Sequence, residues 1–300
     1  MLRKEFRKIL EDKEIRNRKV ADLFDEGAIK IGDLIPYTFY NDSTTISGHY
    51  TGCEDQTFHT GLISVQWQAI GTEGPKNEKC LKIISSWPIF KLKLTGEKGF
   101  FNGVNVLNDL SKLFGSGQYA LKARSAKIKD INELLGVVID WKNEKVLQEG
   151  KSINVYQNFL KKGDFSYVNI PYYKLQDYGL IDKSGVKLRA YSYMQKYIKG
   201  HEVEKKIVFC DKSYYLADIS IGGDVRVPEF GIASVIISNG GSVCNGPEFR
   251  EGISIRYASP GLLFKNDYTE FIEISSIRPI IYLKPETTLD ALLEEKWIIF

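Results

Sequence analysis
The sequence predicts an α+β fold, and three observations point there. Residues 31–84, continued by Leu92 and Leu94, and residues 213–285 alternate apolar and polar positions at the period of half-buried strands. Helical spacing is confined to other places: 2–24, 104–114, 128–135 and 289–296. Between the two strand-rich stretches lies a segment, 141–212, of different composition.

Three hundred residues allow one large domain or two small ones, and 43% hydrophobic content can fill a core. A net charge of +3 implies no general affinity for polyanions. Seventeen Tyr and sixteen Phe against two Met favour strands and aromatic-rich surfaces.

Residues 1–30 are expected to form an N-terminal docking helix. Its pattern covers 2–24, with Leu2, Phe6, Ile9, Leu10, Leu23 and Phe24 as apolar positions. Residues 1–20 hold eight Lys/Arg and four Asp/Glu. A basic amphipathic helix can lie on a membrane or nucleic acid, but the interspersed acids favour a docking helix or a solvated face. The apolar side needs a cover, from the domain itself or from a partner subunit. Leu2, Phe6, Ile9 and Leu10 are the expected partner-docking residues.

Val65, Trp67 and Ala69 alternate with Gln66 and Gln68, and Leu81 and Ile83 mark the next strand. The chain is organised around Lys91–Ile131. Leu92 and Leu94 alternate with lysines; Gly96, Gly99 and Asn102-Gly103 then allow a sharp turn. Val104, Leu107, Leu110, Leu113 and Phe114 follow at helical spacing and stop at Gly115. Ala123-Arg124-Ser125 leads into Ile128, Ile131, Leu134 and Leu135, closed by Gly136. A glycine-rich turn before a helix can hold phosphate. Without GxxxxGK[ST] or GxGxxG, a structural turn is the expected reading.

Residues 141–212 hold 14 Lys/Arg, 8 Asp/Glu and twelve aromatics. Such interleaving can bind single strands by stacking and phosphate contacts. A tyrosine-rich insertion that packs on its own domain, or offers rings to a protein or sugar, is the favoured reading. Nucleic acid is not the expected partner. Beyond it, Tyr214–Ala217 and Ile232–Ile237 read as strands, and Ile253 and Ile255 alternate with polar residues. Ile277–Leu283 is a strand whose Pro279 implies an edge or a first-residue position. Residues 286–300 form a short helix and an apolar tail, expected to dock on something.

Two blocks, Gly32–Ile131 and Tyr214–Pro285, resemble an uncharacterised group of proteins from Gram-positive bacteria and their phages. The carrying residues are GDLIPYTF, the Trp67 strand, LTGEKGFFNGVNVLN and ARSAKIKDI, then YYLAD, FGIASVIISNG and SSIRPIIYLKP. The group resembles C-type-lectin-like domains, the fold shared with formylglycine-generating enzymes. The resemblance implies a C-type-lectin-like domain over 31–285, with the tyrosine-rich insertion at about 141–212. It also implies a ligand face on loops of the C-terminal half, here Asp218, Asp224, Arg226, Glu229, Phe230, Arg250, Arg256 and Tyr257. Arg and Tyr are common interface anchors, and Asp and Glu can hold sugar hydroxyls or calcium. Where the group has Val-Arg after FG, this chain has Ile232-Ala233, so any role of that arginine is lost.

No catalytic or metal residue and no cofactor is expected. Formylglycine-type chemistry needs cysteines placed as copper ligands, but only Cys210 and Cys244 lie in that half, with no supporting motif. No CxxC or GxSxG occurs, so zinc, thioredoxin-like and hydrolase readings lack support. Scattered thiols suit a reducing compartment. His49, His59 and Asp55 form a conceivable metal set, though loop histidines on a polar edge are commoner. Glu54-Asp55 and Glu294-Glu295 are adjacent and point apart, so neither is an acid/base dyad.

No run of 18 apolar residues and no apolar leader occurs, so neither a membrane span nor ordinary secretion is expected. The reading that joins these features is a non-enzymatic virion structural or attachment protein. Its N-terminal helix docks on other virion or assembly proteins, in an oligomer or larger assembly. Its lectin-like domain faces outward to a cell-surface glycan or protein. The alternatives are a cytoplasmic ligand-binding or regulatory protein, and an enzyme with an unrecognised site.

Overall fold
The computed structural model describes residues 3–46, 55–61, 63–95, 105–140, 145–148, 151–152, 155–158, 190–194, 198–210, 214–223, 230–238, 242–245 and 272–298. The chain opens with helices α1 (Lys4–Glu11), α2 (Lys13–Arg16) and α3 (Val20–Asp25). Strands β1 (Leu34–Ile35), β2 (Ser43–Ile46), β3 (Gln56–His59), β4 (Trp67–Glu73), β5 (Cys80–Ser85) and β6 (Ile89–Thr95) follow. Helix α4 (105–112) runs into a 3₁₀ turn, Leu113–Gly115. Next come β7 (Ala120–Ser125), α5 (Ile128–Leu134), β8 (Val137–Asp140), β9 (Lys145–Gln148), β10 (Lys151–Ser152), β11 (Val155–Asn158) and β12 (Ala190–Met194). Helix α6 (Glu202–Val208), strands β13 (Tyr214–Gly223), β14 (Phe230–Ser238), β15 (Ser242–Asn245), β16 (Ile272–Ile277) and β17 (Pro279–Leu283), and α7 (Leu289–Ile298) are the remaining elements among the described residues. Helix and strand are mixed among the described residues, as the α+β reading expects.

A five-stranded antiparallel sheet runs β1-β4-β5-β17-β7. It is buried on both faces. Leu81, Ile83, Ile281 and Leu283 enter one apolar cluster, while Cys80, Ile84, Ile280 and Tyr282 enter another. That explains why β5 and β17 read as continuous apolar runs rather than alternating ones. The last strand therefore lies at the centre of a sheet begun by the first block.

The second large sheet runs β11-β12-β15-β14-β13-β16-β6. The insertion donates β11 and β12 to it, with Tyr193 opposite Val243 and Met194 opposite Ser242. The chain passes between the sheets through one residue, Arg278, which separates β16 from β17. Pro279 is the first residue of β17, opposite Ser125. The expectation of an edge or first-residue position thus resolves to the first residue of a central strand, where the missing N–H is tolerated.

The expected single helix over 2–24 is interrupted twice. Asp12 leaves helical geometry (φ −92°, ψ 109°) and accepts hydrogen bonds from the backbone N–H groups of Glu14 and Ile15, capping α2. Lys19 is also extended and precedes α3. The expected docking face turns inward: Phe6 and Ile9 are buried in the chain's own core, and Leu10 packs against it. Leu2 lies outside the described residues. Arg3 fixes this arrangement. Its Nε and Nη2 reach Asp33 at 3.1 and 2.8 Å, and Nη2 also donates to the Ala28 carbonyl at 2.8 Å. These bonds raise the Arg3 pKa further, first through the Asp33 hydrogen bond. The N-terminal helices also close on the tail, since Val20 N–H donates to the Thr287 carbonyl and Arg16 pairs with Asp290.

The aromatic centre of the larger core holds Tyr37, Phe39, Trp67, Phe90 and Phe114, mostly in edge-to-face contact. Phe90 has φ 48°, an uncommon value for a bulky residue. The β16–β6 ladder shifts there, with Ser276 opposite Lys91 and Ile277 opposite Ile89, so Phe90 is the extra residue of a bulge. The bulge aims its ring at Phe58 and Phe114, 5.0 and 5.6 Å between centroids.

Candidate functional site
The face the resemblance points to begins at β13 and β14. Their ladder runs from Tyr214↔Ile237 to the terminal pair Gly223↔Phe230. Asp224, Arg226 and Glu229 belong to the segment joining these ends, 224–229, and lie outside the described residues, as do Arg250, Arg256 and Tyr257. Asp218 sits in β13 within the register shift between Tyr215 and Ile219, whereas Phe230 is the first residue of β14. The ladder thus places Phe230 at the hairpin end and Asp218 some pairs away; the two do not adjoin.

The candidate metal set does not assemble among the described residues. His59 is exposed on β3, opposite Ser43, Asp55 is exposed nearby, and His49 lies outside the described residues. No group of three or more His, Cys, Asp or Glu able to hold a metal occurs among the described residues. His201 has φ 55° and packs against Gly136, whose own φ is 59°. Cys80 is buried and Cys210 half-buried, and neither is in a disulfide. Burial raises the Cys80 pKa, which makes it less reactive. Glu294 is exposed and Glu295 buried, so this pair does point apart.

Two polar centres escaped sequence reasoning, and both sit on the same face of β17. The first joins Lys82, Tyr282, Arg124, Asp130 and Glu73. Arg124 grips Asp130 with two 2.7 Å bonds and also donates to the Tyr282 hydroxyl. The Tyr282 hydroxyl donates to Glu73 at 3.3 Å. Lys82, only 5% exposed, reaches Glu133 at 3.2 Å and lies 3.9 Å from Asp130. Lys122 stands 4.0 Å over the Tyr282 ring. Strand register sets this row, because Tyr282 is opposite both Lys82 and Lys122. Asp130 also accepts the Lys127 N–H at 2.9 Å, starting α5. Burial alone would lower the Arg124 pKa, but its bonds and attraction to Asp130 raise it overall. The Tyr282 phenol is pushed up to about 12, first by burial, with Arg124 pulling the other way. Every charge here has a partner, so the cluster clamps α5 to the sheet and leaves no group free for acid or base work.

The second centre is Arg278, fully buried. Its Nε donates to the Ser85 carbonyl at 3.2 Å, and its Nη1 to the Val208 carbonyl at 3.4 Å and the Tyr214 hydroxyl at 3.1 Å. Its guanidinium lies 4.9 Å from the Tyr214 ring centroid. Val208 ends α6, so the cation faces the negative end of that helix. Nη2 has no hydrogen-bond partner, and no carboxylate pairs with Arg278 among the described residues.

Compared with protein-family models, curated proteins and solved structures, the chain has no match. Among the described residues no helix is long and apolar enough to cross a membrane.

Proposed function
We propose that this chain is a non-enzymatic phage virion structural or attachment protein, built on a C-type-lectin-like domain that binds a cell-surface glycan or protein. One observation supports it most. The two blocks that carry the resemblance, separated by the insertion, interleave as one unit: β17 lies between β5 and β7, and β16 pairs with β6. Docking on the particle uses the outer face of α1, where Lys4, Arg7 and Lys8 are exposed, because Phe6 and Ile9 are occupied internally.

The test is the size and composition of the native complex, by light scattering and mass spectrometry of untagged material from its source. The expected result is elution within a large particle together with phage proteins. Elution as a free 34.1 kDa monomer would overturn the virion role.

A further inference from the structure
Helices α1 and α2 are kept apart by the backbone of one residue. Asp12 donates its N–H to the carbonyls of Lys8 and Ile9, at 3.1 and 3.3 Å, and its own carbonyl accepts the Arg16 N–H at 3.0 Å, so it belongs to both helices. Its ψ of 109° is what departs most from helical geometry, where ψ is about −42°. No Gly or Pro lies between Lys4 and Arg16, and Lys, Glu, Arg and Leu predominate there. With Asp12 at helical ψ, the last carbonyls of α1 would meet the first N–H groups of α2. One helix about 20 Å long would then run from Lys4 to Arg16. The Asp12 side chain opposes this by capping Glu14 and Ile15 at 3.0 and 3.2 Å. Two backbone arrangements thus differ at a single residue. The fixed side of this hinge is α2, where Ile15 packs against the larger core and Arg16 reaches Asp290 at 3.2 Å.

On the other side, α1 cannot be withdrawn and left bare. Phe6 and Ile9 are buried in the core, and Asp33, 6% exposed, holds Arg3. Withdrawal would expose both apolar side chains, open a hole where Phe6 sits and leave a buried carboxylate without its cation. What the vacated socket accepts is set by what fills it: a helix with Arg, Phe and Ile three residues apart, its arginine facing Asp33 and the Ala28 carbonyl. A foreign helix would fill the socket but leave the displaced α1 bare, whereas exchange between two copies leaves neither α1 bare. We infer that α1 is an exchangeable arm. In a dimer of this chain each α1, carried on a continuous Lys4–Arg16 helix, seats in the socket of the other copy. Every contact between α1 and its socket recurs in such a dimer, and the backbone changes only at the two hinges. Exchange of an identical element about a short hinge is a low-cost route to a symmetric dimer. It needs no particle and goes beyond the docking role proposed above.

The experiment is sedimentation and light scattering of the purified full chain, refolded from urea at up to roughly 1 mM so that arms can exchange. Asp12→Ala removes the cap that holds the break. With a cap worth about fivefold at each of two hinges, the dimer association constant is expected to rise about twentyfold. Lys13→Pro, at the exposed first residue of α2, suits the break. It bars the continuous helix, because proline lacks the N–H, clashes with the carbonyl four residues back and holds Asp12 extended. This variant is expected to stay monomeric throughout. Arg3→Glu and Asp33→Lys chains, refolded together, report the exchange itself. Each alone sets like charges face to face, whereas an exchanged heterodimer pairs opposite charges in both sockets, so heterodimer in excess of either homodimer is expected. The exposed Asp12 and Lys13 variants decide the matter if Asp33→Lys does not fold. An Asp12→Ala association constant no higher than that of the natural chain, a dimer of Lys13→Pro, or folded mixed chains without heterodimer would each overturn the exchange.

Discussion
Two arginine–tyrosine pairs flank the same face of β17, and they solve the burial of a cation differently. Arg124 lies 5.3 Å from the Tyr282 ring centroid and Arg278 lies 4.9 Å from that of Tyr214. Both phenols are pushed up to about 12, first by burial, with the arginine opposing. Arg124 keeps 22% side-chain exposure and has a two-bonded carboxylate. Arg278 has no exposure and only neutral oxygens. The more buried cation thus has the weaker partners. It is held by a helix end and an aromatic face, and its role is to fix where α6 meets the junction of the two sheets. The Arg124 cluster derives its strength from opposite charges instead.

The comparison breaks most sharply at Asp130. Asp130→Asn keeps the shape but removes the anion shared by Arg124 and Lys82 and weakens the start of α5. Breaking a buried pair by removing one partner costs several kcal/mol, and Glu133 still serves Lys82, so a loss of about 3 kcal/mol is expected. Chemical denaturation followed by midpoint shift measures it. A loss below about 1 kcal/mol would mean the cluster behaves as a surface salt bridge.

Arg278→Met should be milder. It removes a cation that no carboxylate among the described residues offsets, while Val208 O keeps the Tyr214 hydroxyl at 3.0 Å. The net effect is expected within about 1 kcal/mol of the natural chain, since lost neutral hydrogen bonds and relieved desolvation oppose one another. A loss near that of Asp130→Asn, in the same denaturation experiment, would show that an anion does serve Arg278.

These centres mark the limit of what the sequence reveals. Strands and helices were legible where periodicity is local: β5, β6, β13, β14 and β17 fall on the apolar runs that predicted them, and α7 on Leu289–Lys296. The N-terminal helix was overextended because its apolar spacing continues through Asp12, whose side chain caps a new helix instead. The docking residues Phe6 and Ile9 showed an apolar face, but spacing does not say what covers it. Lys82, Arg124 and Tyr282 come from three strands distant in sequence, and only the ladder puts them in one row. Arg278 stood in plain view within the strand expected over Ile277–Leu283, yet periodicity does not say that it is the one residue between two strands of different sheets, nor that Val208 and Tyr214 close around it.

The smallest effect separates the two tyrosines. The ordinary phenol value is 10.0, and both folded values stand near 12. Between those values the unfolded chain has released protons that the folded chain still holds, so stability is full below about 10 and falls as pH rises towards about 12. Tyr214→Phe removes one of these titrations and should flatten the fall. At neutral pH it should cost about 1–2 kcal/mol, for the lost bond to Val208 O and the lost bond from Arg278 Nη1. Tyr282→Phe should flatten the fall as well, but it also frees Arg124 and Glu73 from a shared hydroxyl, so its neutral-pH cost tracks the charged cluster. Denaturation midpoints across this alkaline range, for the natural chain and both variants, give the readout. If neither substitution changes the slope, the phenols titrate normally and burial around Arg278 is looser than its bonds imply.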